Sequence, residues 1–318
     1  MNTHFLRCFL PACFRRFLHL LLLALGLACV LTLSGCAMHM DGMLDPKGFI
    51  AYQERRLFFD TLALMLIVVV PVIIMSFAFV FHYRASHRLE DEHSYKPNWS
   101  HSYFLETLWW GIPCVIIVIL GIMTWIKSHT LDPYRTLSID NNEPPLLVQA
   151  IALPWKWIFI YPAQHIATVN YVEVPVNRQV EYWITADNVP MSAFFIPRLG
   201  SQIYAMAGMR TRLHLISNVE GVYDGMNTMF NGEGFSDMHF SVHVVSQAAM
   251  NQWVQTVQQS PTQLTTDVYN HLLKPSDGNP PQFFAGASDK LFQQVINVYM
   301  NTFGPVHPRE KQNEGISS

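Results

Sequence analysis

The chain has 318 residues, enough for one well-packed domain plus membrane segments. Half of it is hydrophobic and only 14% is charged, against roughly a quarter in soluble domains, which points to the membrane. A formal net charge of -3 without basic runs argues against a nucleic-acid partner.

Residues 1–35 have the parts of a secretory leader. Arg7, Arg15 and Arg16 form a positive start, and Leu20 to Leu33 an apolar run. The leader closes on Leu33-Ser34-Gly35-Cys36, which resembles the cleavage box of bacterial lipoproteins. In that pattern Cys36 becomes the first mature residue and its thiol takes the lipid. An uncleaved anchor with a chance cysteine is the other reading. The five cysteines are Cys8, Cys13, Cys29, Cys36 and Cys114, so no disulfide framework is available to any later domain.

Residues 36–56 are polar, contain Gly42, Pro46 and Gly48, and read as an irregular link. Two apolar runs of bilayer length follow, 57–81 and 104–126. Pro71 and Pro113 lie inside them, as membrane helices tolerate when neighbours satisfy the freed carbonyl. Trp109, Trp110 and Trp125 stand near the ends of the second run as interfacial anchors. The intervening loop, 82–103, mixes Arg84, Arg88 and Lys96 with Glu90, Asp91 and Glu92, and Arg55 and Arg56 lie on the opposite side, so charge asymmetry gives no clear orientation. The cleavage box does. An exported Cys36 makes the loop cytoplasmic and returns the chain to the periplasm after the second span. Asn98-Trp99-Ser100 matches a glycosylation sequon, which has no meaning on that side of a bacterial membrane.

From about residue 131 the texture changes to alternation. Trp155, Trp157, Phe159 and Tyr161 fall on one strand face, with Lys156, Ile158 and Ile160 on the other. Val180, Tyr182 and Ile184 alternate with Glu181, Trp183 and Thr185, and Thr211, Leu213 and Leu215 with Arg210, Arg212 and His214. Short strands punctuated by Pro, Gly and Asn predict a β-sandwich over 131–246. Beyond it, Ser246–Gln259 and Thr265–Leu273 read as helices split by Pro261. Leu291, Val295, Val298 and Tyr299 have helical spacing in a third segment, giving a helical extension over 247–303. The polar tail, 304–318, is expected to be disordered.

Few residues invite a chemical role. His239 and His243 point to one face of a strand but stand about 13 Å apart, too far for one ion, and read as surface or packed histidines. His165 and His214 have no ligand partners in the sequence. The aromatic face of Trp155 to Tyr161 reads as packing rather than as an electron relay. Asp187 and Glu233 read as loop residues, with an ion or partner as the alternative.

One stretch, Asp187 to Val245, carries Ser192-Ala-Phe-Phe-Ile-Pro197, Gln202-Ile-Tyr-Ala-Met206, Tyr223-Asp-Gly-Met-Asn-Thr-Met-Phe-Asn-Gly232 and Phe235-Ser-Asp-Met238. This order resembles the metal-binding half of the cupredoxin β-sandwich in subunit II of haem–copper oxidases. In copper-containing members a His opens the first segment, and two thiolates, a carboxylate-bearing residue, a His and a Met follow. The matching positions here are Ser192, Asn227, Met229, Asn231, Phe235 and Met238, and only the Met is kept. Composition points the same way. Such copper centres need thiolate and imidazole donors, and the sequence has no cysteine after Cys114. Met238 alone does not hold copper and reads as core.

Further matches are Tyr95-Lys-Pro-Asn-Trp-Ser-His101, the aromatic strand Pro154-Trp-Lys-Trp-Ile-Phe-Ile-Tyr-Pro162, the run Phe194 to Met209, and Trp253-Val-Gln-Thr-Val-Gln-Gln-Ser-Pro261. With the leader and two spans they cover most of 33–303 and resemble subunit II of bacterial cytochrome o-type ubiquinol oxidases. The resemblance implies a membrane-anchored α + β chain, in which a two-helix transmembrane hairpin precedes a periplasmic cupredoxin-like sandwich and a short helical extension. It implies a non-catalytic, multi-pass subunit of a proton-translocating terminal oxidase in the inner membrane, with an N-terminal lipid anchor. No cofactor belongs to this chain, and haem, copper and ubiquinol are expected in partner subunit I. Smaller membrane subunits and the bilayer are the other partners, and cytochrome c is not one. Glu106, at the start of the second span, matches a glutamate at the mouth of a proton-input channel; a first-turn acidic residue favoured by the helix dipole is the plain alternative. Two rival functions stay open, a membrane-tethered cupredoxin-like binding or assembly protein and a cytochrome c oxidase subunit.

Overall fold

The structure is a computed structural model and describes residues 26, 42–82, 100–137 and 143–303. All of the leader but residue 26, Cys36, most of the 82–103 loop and the 304–318 tail lie outside the described residues. The chain divides into two units, 1–45 and 46–318. In the first, Asp45 N donates to Gly42 O at 3.2 Å in a turn. The second holds everything described below.

Helix α1 spans Phe49–His82 and helix α2 Tyr103–Thr130. Both are long and apolar enough to cross a membrane. Pro71 and Pro113 lie within them. The polar stretch before residue 57, expected to be irregular, is already helical from Phe49. The sandwich supplies the reason. A helix start leaves unsatisfied N–H groups, and here Ala51 N donates to Leu199 O at 3.1 Å. Glu54 Oε1 accepts from the backbone N and the hydroxyl of Ser201, at 3.0 and 3.2 Å. Gly48 makes the close approach possible, because a Cβ there would stand 2.7 Å from the carbonyl oxygens of Ile216 and Leu199.

Among the described residues eleven strands follow α2: β1 Leu146–Leu153, β2 Lys156–Tyr161, β3 Ile166–Val169, β4 Tyr171–Pro175, β5 Gln179–Ala186, β6 Ser192–Phe195, β7 Gln202–Ala205, β8 Thr211–Ile216, β9 Gly221–Asn227, β10 His239–Val245 and β11 Gln282–Ala285. They form a six-stranded sheet, β11-β3-β2-β1-β5-β8, and a five-stranded sheet, β4-β10-β9-β6-β7. Two pairings are parallel, β1 with β5 and β10 with β4.

Strand alternation sends successive side chains into two cores. Trp157, Phe159 and Tyr161 enter the core between the sheets with Tyr182, Phe194 and Phe240. The Phe194 and Phe240 rings stack with centroids 5.1 Å apart. Ile158 and Ile160 enter a second core on the outer face of the larger sheet, with Leu264, Tyr269, Leu272, Phe292 and Val295 of the C-terminal extension. Trp155, expected on the inner strand face, instead sits in the β1–β2 turn with φ of 60°.

The extension contains α3 Gln247–Gln258, α4 Thr266–Leu272 and α5 Leu291–Phe303. Ser246 caps α3 by accepting from Ala249 N, and Thr265 caps α4 by accepting from Val268 N. The extension is not helical throughout. Strand β11 pairs antiparallel with β3 and completes the edge of the larger sheet, which covers an edge that would otherwise template pairing with another chain.

Candidate functional site

The matched metal positions converge at one end of the sandwich. Strand β6 delivers Ser192, β9 ends on Asn227, and the loop 228–238 returns to β10. Ser192 and Met238 are fully buried. Asn231 Nδ2 donates to Ser192 Oγ at 3.4 Å and to Met238 Sδ at 3.2 Å, so these three form one cluster. Asn231 Oδ1 is buried without a protein hydrogen-bond partner. Asn227 does a different job. Its Oδ1 accepts from Ala193 N at 2.8 Å and Met229 N at 3.1 Å, and its Nδ2 donates to Met229 O at 2.8 Å. A single amide thus splices β6 to the loop. Met229 is half-buried, and the Phe235 ring pairs with exposed Phe230 at 5.6 Å.

Trp155 shapes the loop from outside. Its Nε1 donates to Asn231 O at 3.3 Å. Its ring lies against Gly232 and Gly234, and a Cβ on Gly234 would stand 2.5 Å from it. The left-handed backbone of Trp155 turns the indole onto these glycines rather than into the sandwich. Among the described residues, no group of three or more His, Cys, Asp or Glu side chains is placed to hold a metal ion.

The other candidates are dispersed. Glu106 is exposed in the first turn of α2, and its N donates to Ser102 O at 2.9 Å. His239 is exposed, whereas His243 stacks on Tyr171 at 4.5 Å and burial lowers its pKa. His165 approaches Asp289 at 3.2 Å. His214 is buried with Nδ1 3.1 Å from Pro133 O. Glu233 is exposed in the 3-10 turn Glu233–Asp237 of the loop.

Three polar residues emerge that sequence reasoning passed over or left as loop. Lys156 is buried, and its Nζ donates to Leu272 O at 3.1 Å, Lys274 O at 2.9 Å and Ser276 Oγ. This ammonium caps the C-terminus of α4, where the helix dipole favours a cation, while burial pulls its pKa down. Asp187, just past β5, accepts from Tyr269 OH at 2.5 Å and Tyr299 OH at 2.7 Å. Burial and the nearby carboxylate push the Tyr269 phenol well up. Glu173 accepts from Tyr171 OH at 2.6 Å, and its backbone N and O both bond Tyr161 OH, at 2.9 and 3.0 Å. Burial raises the Glu173 carboxyl, partly offset by Tyr171. A lone lysine between two tryptophans in an apolar strand was the available signal for the first. Nothing in the sequence tied Asp187 to tyrosines about a hundred residues away.

Comparison with known proteins adds the following. The family described as the COX aromatic rich motif matches residues 258–302, which include α4, β11 and most of α5. The cytochrome bo(3) ubiquinol oxidase subunit 2 of Pseudomonas aeruginosa is 47% identical over 275 residues, 86% of this chain and 80% of the relative. The ubiquinol oxidase subunit 2 of Acetobacter aceti is 43% identical over 276 residues, 87% of each chain. The quinol oxidase subunit 2 of Bacillus subtilis is 36% identical over 83% of this chain and 80% of its own. Among solved structures, the periplasmic domain of subunit II of cytochrome oxidase from Bradyrhizobium japonicum aligns with a TM-score of 0.35 at 22% identity, over 36% of this chain and 94% of that one.

Proposed function

The chain belongs to the family of quinol oxidase subunit 2, and from that premise we propose that it is the non-catalytic subunit II of a proton-translocating terminal ubiquinol oxidase. The two apolar helices anchor it in the bacterial inner membrane, with the sandwich in the periplasm and a lipid on Cys36. Ubiquinol delivers its electrons to haem and copper in partner subunit I, smaller membrane subunits complete the complex, and cytochrome c is not a donor.

The observation that carries this reading is the donor set at the matched metal positions. A hydroxyl, two amides, two thioethers and a phenyl ring do not fit a copper centre built on thiolate and imidazole. The Asn227 side chain is already committed to three backbone bonds, and the Asn231 amino group to Ser192 and Met238. No electron step is assigned to this chain. A soluble one-electron donor therefore has no entry point here, whereas a quinol in the bilayer reaches the large subunit directly. The role left to the chain is to cover and stabilise that subunit and, through Glu106, to gather protons at a channel mouth. The place of the Glu106 carboxylate in the first turn of a membrane helix supports that part, because a carboxylate there needs water or protein rather than lipid.

The test is to isolate the complex through a C-terminal tag in mild detergent and measure oxygen uptake with ubiquinol and with reduced cytochrome c. Uptake with ubiquinol alone, in a haem-containing complex, is the expected result. Uptake with cytochrome c overturns the donor argument, and a chain without haem partners favours the tethered binding protein instead. Glu106→Ala is expected to slow turnover in an assembled complex; unchanged turnover removes the proton-collecting role.

A further inference from the structure

We propose that Trp183, Arg210 and Arg212 form a docking site for an acidic segment of another protein subunit. Its carboxylate meets the two guanidinium groups, and its apolar side chains cover Met209 and Met300. The proposal rests on the reading of this chain as one subunit of a complex.

The site lies where the outer face of the larger sheet loses its cover. Strand β8 is the last strand of that sheet. Its Leu213 and Leu215 enter the core between the sheets, so Arg212 and His214 face outward. The helical layer of the extension reaches β5, where Phe292 of α5 packs on Trp183 with ring centroids 6.3 Å apart. Among the described residues no β8 side chain joins that outer core. At the other end of β8, the turn after α2 meets His214 through Pro133 O. In the gap between stand Arg212, directly opposite Trp183 in the β5–β8 register, and Arg210, two residues before it.

One indole gathers both cations. The guanidinium carbons of Arg210 and Arg212 lie 4.4 and 5.9 Å from the centre of the Trp183 ring. The ring is itself held, because its Nε1 donates to Glu181 Oε1 at 2.7 Å. A guanidinium stacked on an aromatic face keeps its N–H edge for a carboxylate. Among the described residues no carboxylate pairs with either arginine. Glu181, the acid nearest in register, is turned to the indole and to His214 Nε2, 3.9 Å away. Two like charges thus converge on one ring without a counter-charge from this chain, and a bound anion relieves their repulsion. The surroundings select a protein as its carrier. Exposed Met209 precedes Arg210, and exposed Met300 of α5 lies against the same loop, its backbone N 3.8 Å from where a Cβ on Gly208 would stand. Trp, Arg and Met are the side chains enriched at protein interfaces, and arginines already held in place cost less ordering on binding. Free phosphate or a lipid headgroup neutralises the arginines but leaves both thioethers in water.

The experiment uses the whole complex in its native membrane. Arg210→Lys and Arg212→Lys each keep the charge and supply an amine, which a carbodiimide joins to a carboxylate in contact with it. After purification and digestion, the expected product is an amide between position 210 or 212 and an Asp or Glu of another subunit. Assembled complexes that give no such product in either variant overturn the site, as does an amide to Glu181 or to any other carboxylate of this chain. A phospholipid that wild type retains and the Arg210→Gln, Arg212→Gln double variant loses, with no peptide product, gives the arginines to a lipid and overturns the protein partner. Wild type supplies a reading that needs no variant. A dicarbonyl reagent, which adds to free guanidinium groups, is expected to modify Arg210 and Arg212 about tenfold more slowly at low salt than at high salt, where an ionic contact is screened; equal rates overturn the contact. An amide to a partner in a complex without haem keeps the docking site and refutes the oxidase reading, whereas a haem-containing complex without the amide refutes the site alone.

Discussion

Replacing Asp187 by Ala is expected to loosen the C-terminal extension while leaving the sandwich folded. The carboxylate accepts from Tyr269 of α4 and Tyr299 of α5, at 2.5 and 2.7 Å, so one side chain ties two helices to the end of β5. A hydrogen bond to a charged group contributes about 1.5–3 kcal/mol. The two do not add fully, because Tyr299 OH also accepts from Asn188 N at 2.7 Å and keeps that partner. Tyr269 is nearly buried and keeps no such alternative. The net loss is therefore about 3 kcal/mol. For a unit of this size that corresponds to a fall in Tm of about 6–12 °C. The apolar contacts of Leu264, Leu272, Phe292 and Val295 on the outer sheet face remain, so the helices open locally instead of the whole domain unfolding. Hydrogen exchange of the full chain in detergent reads this directly, with faster exchange in 264–303 and little change in β5, β6 and β9. Asp187→Asn keeps one acceptor oxygen and is expected to lose about half as much. If Asp187→Ala matches wild type in both Tm and exchange, the carboxylate is not the anchor.

Three further substitutions probe two other polar contacts and one close packing contact. Lys156→Met removes the ammonium from the carbonyls of Leu272 and Lys274 and is expected to cost about 2 kcal/mol, seen as faster exchange confined to α4; unchanged exchange there refutes the capping role. Glu173→Gln tests a pH dependence. Burial raises the Glu173 carboxyl, so its contribution to stability is complete below the unfolded value of about 4.3 and is lost as pH rises through the higher folded value. The neutral amide, which still accepts from Tyr171, is expected to raise Tm at pH 7 and to match wild type near pH 4; a difference of equal size at both pH values contradicts that origin. Gly234→Ala places a Cβ 2.5 Å from the Trp155 ring and is expected to destabilise by about 1–3 kcal/mol through overpacking, with a shift in tryptophan fluorescence; an unshifted spectrum at wild-type stability argues against that contact.

Local periodicity made much of the fold legible. The alternation at Trp157, Phe159 and Tyr161 predicted the inner core, and Ser246 and Thr265 marked helix starts that the structure uses as caps. What escaped was set by distant chain. Trp155 fits the alternation, but the two-residue turn between β1 and β2 takes it out of the strand. Residues 49–56 are polar enough to read as a link, yet the loop at Leu199–Ser201 satisfies the first helical turns. Strand β11 is four residues long and is fixed by the free edge of β3 rather than by its own pattern. At the matched metal positions, sequence named all six residues but not their division of labour. Ser192, Asn231 and Met238 cluster, Asn227 splices backbone, and Phe235 pairs with Phe230.

That division bears on how the loop 228–238, which holds neither Cys nor His, keeps its shape. A bound metal contributes folding free energy by closing the chain around itself. In the loop 228–238 the closing contacts come from protein groups. Asn227 holds the first turn through three backbone bonds, Asn231 reaches Ser192 and Met238 across the cluster, and the Trp155 indole braces Gly232 and Gly234 from outside. Each is a neutral contact of modest net strength, and none requires a redox-active donor. The same economy appears on the outer sheet face, where Lys156 holds the C-terminal carbonyls of α4 and Asp187 holds Tyr269 of α4 and Tyr299 of α5. The polar residues of this chain thus serve to position segments against one another, which is the property that the covering role proposed above calls for.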